Sequence, residues 1–77
     1  MIFQGFSIGI PKEIMTGEKR VSATPETTRK MVEEGAEVFV ETGAGLGAHF
    51  TDENYREAGA SIIDDVEHLF ARVDMIL

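Results

Sequence analysis

The sequence predicts an α/β fold of βαβ units on a mainly parallel sheet. Three observations predict it. Short apolar runs with strand patterning alternate with helical stretches along the whole chain. The run Val38-Phe39-Val40 is apolar without a break, which suits a strand covered on both faces, as strands of parallel sheets are. Helix starts and stops are punctuated by Thr, Asp, Pro and Gly at the expected places, so the connections are short crossovers and not long loops. The order β-α-β-α-β-α-β is half of a doubly wound domain, Rossmann-like (flavodoxin-like), and is expected to be the incomplete N-terminal portion of it.

The first strand is expected around Phe6, Ile8 and Ile10, whose alternation with Ser7 and Gly9 leaves room for close neighbours. Pro11 cannot donate a ladder hydrogen bond and should end it. Thr24 caps the first helix, with Pro25 at its first position. That helix runs over 25–34, with Met31 and Val32 on one face with Thr27 and Thr28, and stops at Gly35. Residues 36–41 form the second strand, and 42–50 a glycine-rich loop. Thr51 or Asp52 caps a short helix through Ala58, which Gly59 ends. Residues 60–63 form a third strand. Asp64 with Glu67 reads as a capping box for a helix carrying Val66, Leu69 and Phe70 on its apolar face. Val73 to Leu77 begins a fourth strand. Because the chain ends within that apolar strand, it is expected to be the N-terminal piece of a longer polypeptide; alone, it would need a partner for that edge.

Composition narrows the function classes. The 77 residues allow one small domain with a marginal core, and with no Cys there is neither disulfide nor thiolate metal site to reinforce it. The net charge of −7 argues against nucleic acid and against an anionic membrane surface. No apolar run approaches a membrane span, and the start MIFQGFS lacks the features of a secretory signal.

The stretch from Ile8 to Pro25 organises the chain. It joins a strand to a helix through a charged loop at the carboxyl end of the strand, where α/β folds bind ligands. Arg20 is the residue it singles out. A guanidinium is a planar fork matched to a carboxylate or phosphate, and a following helix N-terminus also favours anions. The alternative is a surface arginine paired with Glu18 or Glu13. Lys12 and Glu13 read as solvated charge, with Glu13 a candidate to brace Arg20 from behind.

Four pieces in order, Ile10-Pro11-Lys12-Glu13, Glu18-Lys19-Arg20-Val21, Thr24-Pro25 and Gly43-Ala44-Gly45-Leu46-Gly47, resemble the N-terminal domain of the alanine dehydrogenase and NAD(P) transhydrogenase alpha-subunit family. The resemblance covers nearly the whole chain from Ile8 onward, and implies that residues 1–77 are the N-terminal part of such a domain. It implies that the arginine of the RV motif, Arg20, binds the substrate carboxylate in the dehydrogenases. In the transhydrogenases that arginine is present without an alanine substrate. The family's catalytic lysine and histidine, and its nucleotide-binding domain, are expected beyond Leu77.

Gly43-Ala44-Gly45-Leu46-Gly47-Ala48 also matches the dinucleotide fingerprint, with Asp64 at about the spacing of the ribose-binding acid, ~20 residues on. The fingerprint needs a helix that opens within the glycines. Here the cap signal comes later, at Thr51-Asp52, and the helix opens with Asp52 and Glu53, which would repel a pyrophosphate. No cofactor residue is therefore assigned. His49 and His68 lack companions for a metal set. Ser7, Ser22 and Ser61 have no base nearby in sequence, so neither a metal site nor a catalytic residue is assigned.

The expected function is thus that of an enzyme part, inactive by itself. The GEKR ending of the loop favours the alpha subunit of a proton-translocating NAD(P) transhydrogenase, which transfers hydride between NADH and NADP+. The runner-up is an alanine dehydrogenase, which interconverts L-alanine and pyruvate with NAD(H). A third reading is a non-catalytic assembly module. The resemblance implies NAD(H) or NADP(H) in the full-length protein, with none held tightly by this chain. Its expected partners are the remainder of the polypeptide, further copies in a homo-oligomer and, for a transhydrogenase, membrane-embedded subunits, in a cytoplasmic setting.

Overall fold

The computed structural model describes residues 5–12 and 23–76. The elements are β1 (Ser7–Ile10), α1 (Pro25–Glu33), β2 (Glu37–Glu41), a 3-10 turn (Leu46–Ala48), α2 (Asp52–Glu57), β3 (Ser61–Ile63), α3 (Val66–Arg72) and β4 (Met75–Ile76). The four strands form one sheet in the order β3-β2-β1-β4, and every pair is parallel. This is the order of the first four strands of a Rossmann arrangement.

Alternation along the strands sorts the helices onto two faces. Ile8, Ile10, Val38 and Val40 point to one face, where they form a buried core with Tyr55 and the half-buried Met31, Val32 and Ile62. That face carries α1 and α2. Gly9 and Phe39, the intervening residues, point to the other. A Cβ on Gly9 would lie 3.1 Å from Val73 and Ile76 and 3.3 Å from Leu69, so the bare strand backbone lets α3 and its flanks lie close. Arg72 in the last turn of α3 places its guanidinium 5.1 Å from the centre of the Phe39 ring. Opposite faces follow from right-handed crossovers: β1-α1-β2 and β2-α2-β3 step one way, while β3-α3-β4 steps back across the sheet.

The punctuation works as the residue types predict. Thr24 caps α1 by accepting from the Thr27 amide, 3.2 Å. Both α1 and α2 end in Schellman motifs, with Ala36 N–H donating to Met31 O and Ala60 N–H to Tyr55 O, around left-handed Gly35 and Gly59. Thr51, not Asp52, caps α2, and forms a reciprocal capping box with Asn54.

Three expectations need correction. The cap of α3 is Asp65, whose carboxylate accepts from the Glu67 amide at 3.0 Å; Asp64 is spent on the bend out of β3. Phe70 is 52% exposed, because Leu69 takes the place over Gly9 and the next residue is turned about 100° away around the helix. Thr27 faces outward and bonds the Thr24 hydroxyl, whereas Thr28 is fully buried and its hydroxyl has no partner among the described residues. The fourth strand, where described, is two residues long. Met75 and Ile76 remain 36% and 40% exposed.

Candidate functional site

Strand order places the site. β1 sends its chain toward β2 on one side, while β4 lies on its other side, so the crossover direction reverses between β1 and β4. Ligands of open α/β sheets bind outside the carboxyl ends of the strands at such a switch point. The chain leaves β1 at Ile10-Pro11-Lys12, at that place. Glu13 and Arg20, the residues singled out from sequence, lie outside the described residues, as do Glu18 and Lys19. The structure fixes the two ends between which they lie, Lys12 and Ala23.

Both ends are tied to other elements, the first to β2 and the second to α2. At the first, the Lys12 amide donates to Glu41 Oε1 at 2.7 Å, which joins the exit of β1 to the end of β2. At the second, the Tyr55 hydroxyl donates to Ala23 O at 2.8 Å. Ala23 is buried and Tyr55 fully so, and the ring of Tyr55 meets Phe50 edge-on at 6.4 Å. Burial raises the Tyr55 phenol above its ordinary value, so it stays a neutral donor.

The glycine loop between β2 and α2 is shaped by its own carboxylate. Asp52 Oδ1 accepts from the Gly43 amide at 2.8 Å and Oδ2 from the Thr42 hydroxyl at 2.5 Å. The Thr42 hydroxyl, then the Gly43 amide, hold the Asp52 carboxyl below its ordinary range, with a further contribution from Arg56. Gly43 needs its left-handed φ of +79° to present that amide. Gly45 is needed for a different reason: a Cβ there would lie 2.6 Å from Tyr55 Cε2. The side chain of Lys12 runs over Gly43, with Nζ 3.8 Å from where a Cβ would be, and Leu46 beside it is 60% exposed.

The loop is not arranged as the dinucleotide fingerprint requires. The Gly43 amide, which a pyrophosphate would use, is already bonded to an internal anion, and α2 opens only at Asp52, past the glycines. Asp64 is exposed on the bend after β3. His49 and His68 are exposed on the glycine loop and α3, and among the described residues no cluster of metal-ligating side chains forms. No described helix is long and apolar enough to cross a membrane. A groove of about 440 Å³ separates α1 from α2, lined by Pro25 and Phe50 and rimmed by Glu26, Arg29, Asn54 and Glu57.

What sequence reasoning missed are the partners that hold the site's ends. Tyr55 carried a signal, since it is the sole tyrosine and sits in a short helix. Glu41 carried none, because its bond to Lys12 spans 29 positions.

Comparison with known proteins places these features in a family. The model of the alanine dehydrogenase/PNT N-terminal domain matches residues 9–77. An alanine dehydrogenase of Staphylococcus epidermidis is 49% identical over 70 residues, covering 91% of this chain and 19% of that protein. A solved L-alanine dehydrogenase superposes with a TM-score of 0.88 at 42% identity, over 94% of this chain and 20% of its own. A transhydrogenase from Sinorhizobium meliloti gives a TM-score of 0.72 at 38% identity, over 74% of this chain and 17% of its own.

Proposed function

The chain belongs to the alanine dehydrogenase/PNT N-terminal domain family, and from that premise we propose that it is the substrate-side, N-terminal part of an alanine dehydrogenase. The observation that carries the placement of the site is the exit of β1 at the switch point, since the Arg20 stretch departs from there. The choice of dehydrogenase rests on the relatives: the alanine dehydrogenases resemble the chain at higher identity and over more of its length than the transhydrogenase does. The reaction would interconvert L-alanine with pyruvate and ammonia.

In this reading Arg20 takes the substrate carboxylate through a bidentate, charge-assisted pair, and Glu13 braces the guanidinium. A nicotinamide coenzyme would supply the hydride chemistry. The glycine loop does not suit its pyrophosphate, so the reading assigns the coenzyme to a separate domain of the same polypeptide. The chain spans 19% of the length of the Staphylococcus relative it matches, which supports activity as a property of the longer protein. Homo-oligomers in the cytoplasm belong to the same reading.

A second reading, the alpha subunit of a transhydrogenase partnered by membrane subunits, is favoured by the Glu18-Lys19-Arg20-Val21 segment and by the Sinorhizobium likeness. One assay separates the two. The full-length polypeptide should oxidise NADH only when pyruvate and ammonia are both present. NADH oxidation that needs an NADP+ analogue instead would replace the first reading with the second. Neither activity in a folded, coenzyme-binding protein would favour an assembly module.

A further inference from the structure

The exits of β1 and β2 lie side by side at the carboxyl edge of the sheet, and the Lys12 side chain crosses from the first to the second. Its Cδ and Nζ lie 4.0 and 3.8 Å from where a Cβ on Gly43 would be, and Leu46 Cδ1 lies 3.6 Å from the same point. An exposed lysine and an exposed leucine thus meet over one bare glycine. The loop beneath them is held in shape by Asp52, which accepts from the Gly43 amide and the Thr42 hydroxyl. The root of Lys12 is fixed by the bond from its own amide to Glu41.

Both carboxylates that bond this corner, Glu41 and Asp52, therefore take neutral donors: two backbone amides and a hydroxyl. Among the described residues no carboxylate pairs with the Lys12 ammonium, whereas Lys30 and Arg56 have Glu26 and Glu53. The chain carries a net charge of −7, so its average field repels an anion. At this corner an approaching anion meets a cation whose three N–H donors are not engaged by the described residues.

We propose that Lys12 and Leu46 form a docking corner for a small carboxylate with a short apolar tail, the 2-oxoacid of the reading above. The inference rests on that alanine dehydrogenase reading. The corner lies one strand over from the switch point between β1 and β4. The ammonium attracts the carboxylate, and Leu46 takes the alkyl tail out of water. Neither group takes part in the transfer of hydride or protons. Both act equally on the ground and transition states, so their loss falls on KM and leaves kcat in place.

The test uses the full-length protein. Lys12→Gln should raise KM for pyruvate by roughly two- to fivefold, the worth of an exposed ion pair, with kcat and the NADH dissociation constant unchanged. In the parent, KM should climb with ionic strength, and Lys12→Gln should flatten that climb. Lys12→Arg keeps the charge and should stay near the parent in both respects. Leu46→Ala should raise KM but leave its salt dependence intact. Lys30→Gln makes the same change in net charge in the last turn of α1, away from the corner, and should move neither. An unchanged KM in Lys12→Gln, or an equal rise in Lys30→Gln, overturns the inference and leaves the functional reading standing. So does weaker NADH binding with KM unchanged, which would assign the anion to the coenzyme phosphates. Absence of pyruvate-dependent activity from the unsubstituted protein overturns the functional reading, and the inference with it.

Discussion

Replacing Gly45 with alanine should destabilise the chain through close packing alone. Its φ of −95° is open to any residue, so backbone strain plays no part. The added Cβ would lie 2.6 Å from Tyr55 Cε2 and 2.9 Å from both Phe50 Cβ and the Tyr55 hydroxyl, far inside contact distance. None of these atoms is free to yield. Phe50 Cβ is fixed by its own backbone, whose amide bonds Gly45 O at 2.9 Å, and the fully buried Tyr55 is held by Ala23. Overpacking of this kind costs about 1–3 kcal/mol. Moving the ring would add the loss of the Tyr55 hydrogen bond, about 0.5–1.5 kcal/mol. The smaller entropy of the unfolded alanine chain offsets about 0.4–1 kcal/mol. The net is a loss of roughly 0.5–4 kcal/mol, centred near 2, a lowering of the urea midpoint by about 1–2 M at typical slopes. The assay is built in: the sequence holds one Tyr and no Trp, so intrinsic fluorescence reports Tyr55 itself. Gly45→Ala should unfold earlier and also show altered native-state fluorescence. A midpoint and native spectrum equal to the parent's would refute the reasoning.

Other outcomes follow from single groups. Because burial raises the folded-state pKa of Tyr55, its contribution to stability is full below the ordinary tyrosine value, about pH 10, and is lost as pH rises from there through the raised folded value. Tyrosinate absorbance should therefore appear together with loss of the fold, and ordinary titration of Tyr55 in an intact fold would contradict this. Asp52 has the opposite sign: its folded pKa is depressed, so its contribution is present above the ordinary carboxylate value, about pH 4, and is lost as pH falls toward the folded one. Asp52→Asn should remove that share of the acid sensitivity, as read from denaturant midpoints across the acid range; an unchanged pH profile would count against the loop clamp. Thr28→Val replaces a buried hydroxyl that has no partner among the described residues with a methyl and should stabilise by about 1 kcal/mol, measured by urea melts. Destabilisation would mean that the hydroxyl has a partner.

Local chemistry was legible in the sequence. Thr24-Pro25, Thr51, Gly35 and Gly59 mark helix ends because their caps and left-handed turns act within a few residues. The unbroken Val38-Phe39-Val40 run marked a strand buried on both faces, with Phe39 beneath α3 and its neighbours beneath α1 and α2. The late start of α2, past the glycines, was legible from its Thr51 cap, although the internal bond from the Gly43 amide to Asp52 was not visible. Asp64 and Asp65 are adjacent and chemically equal, so only the bend after Ile63 decides which one caps α3. Phe70 misled because two adjacent apolar residues, Leu69 and Phe70, compete for one place over Gly9. The grips on Lys12 and Ala23 are tertiary contacts with no periodic signature, and only the assembled sheet brings them together.

The central claim is that this domain holds a substrate carboxylate through Arg20. Arg20→Lys in the full-length protein tests it most directly, since the charge is kept and only the planar fork is lost. Loss of one charge-assisted hydrogen bond costs on the order of 1.5–3 kcal/mol, so kcat/KM for pyruvate should fall roughly ten- to a hundredfold. The NADH dissociation constant and the melting temperature should hardly move. Pyruvate-dependent activity unaffected by the substitution would contradict the account, as would an activity loss matched by an equal weakening of NADH binding.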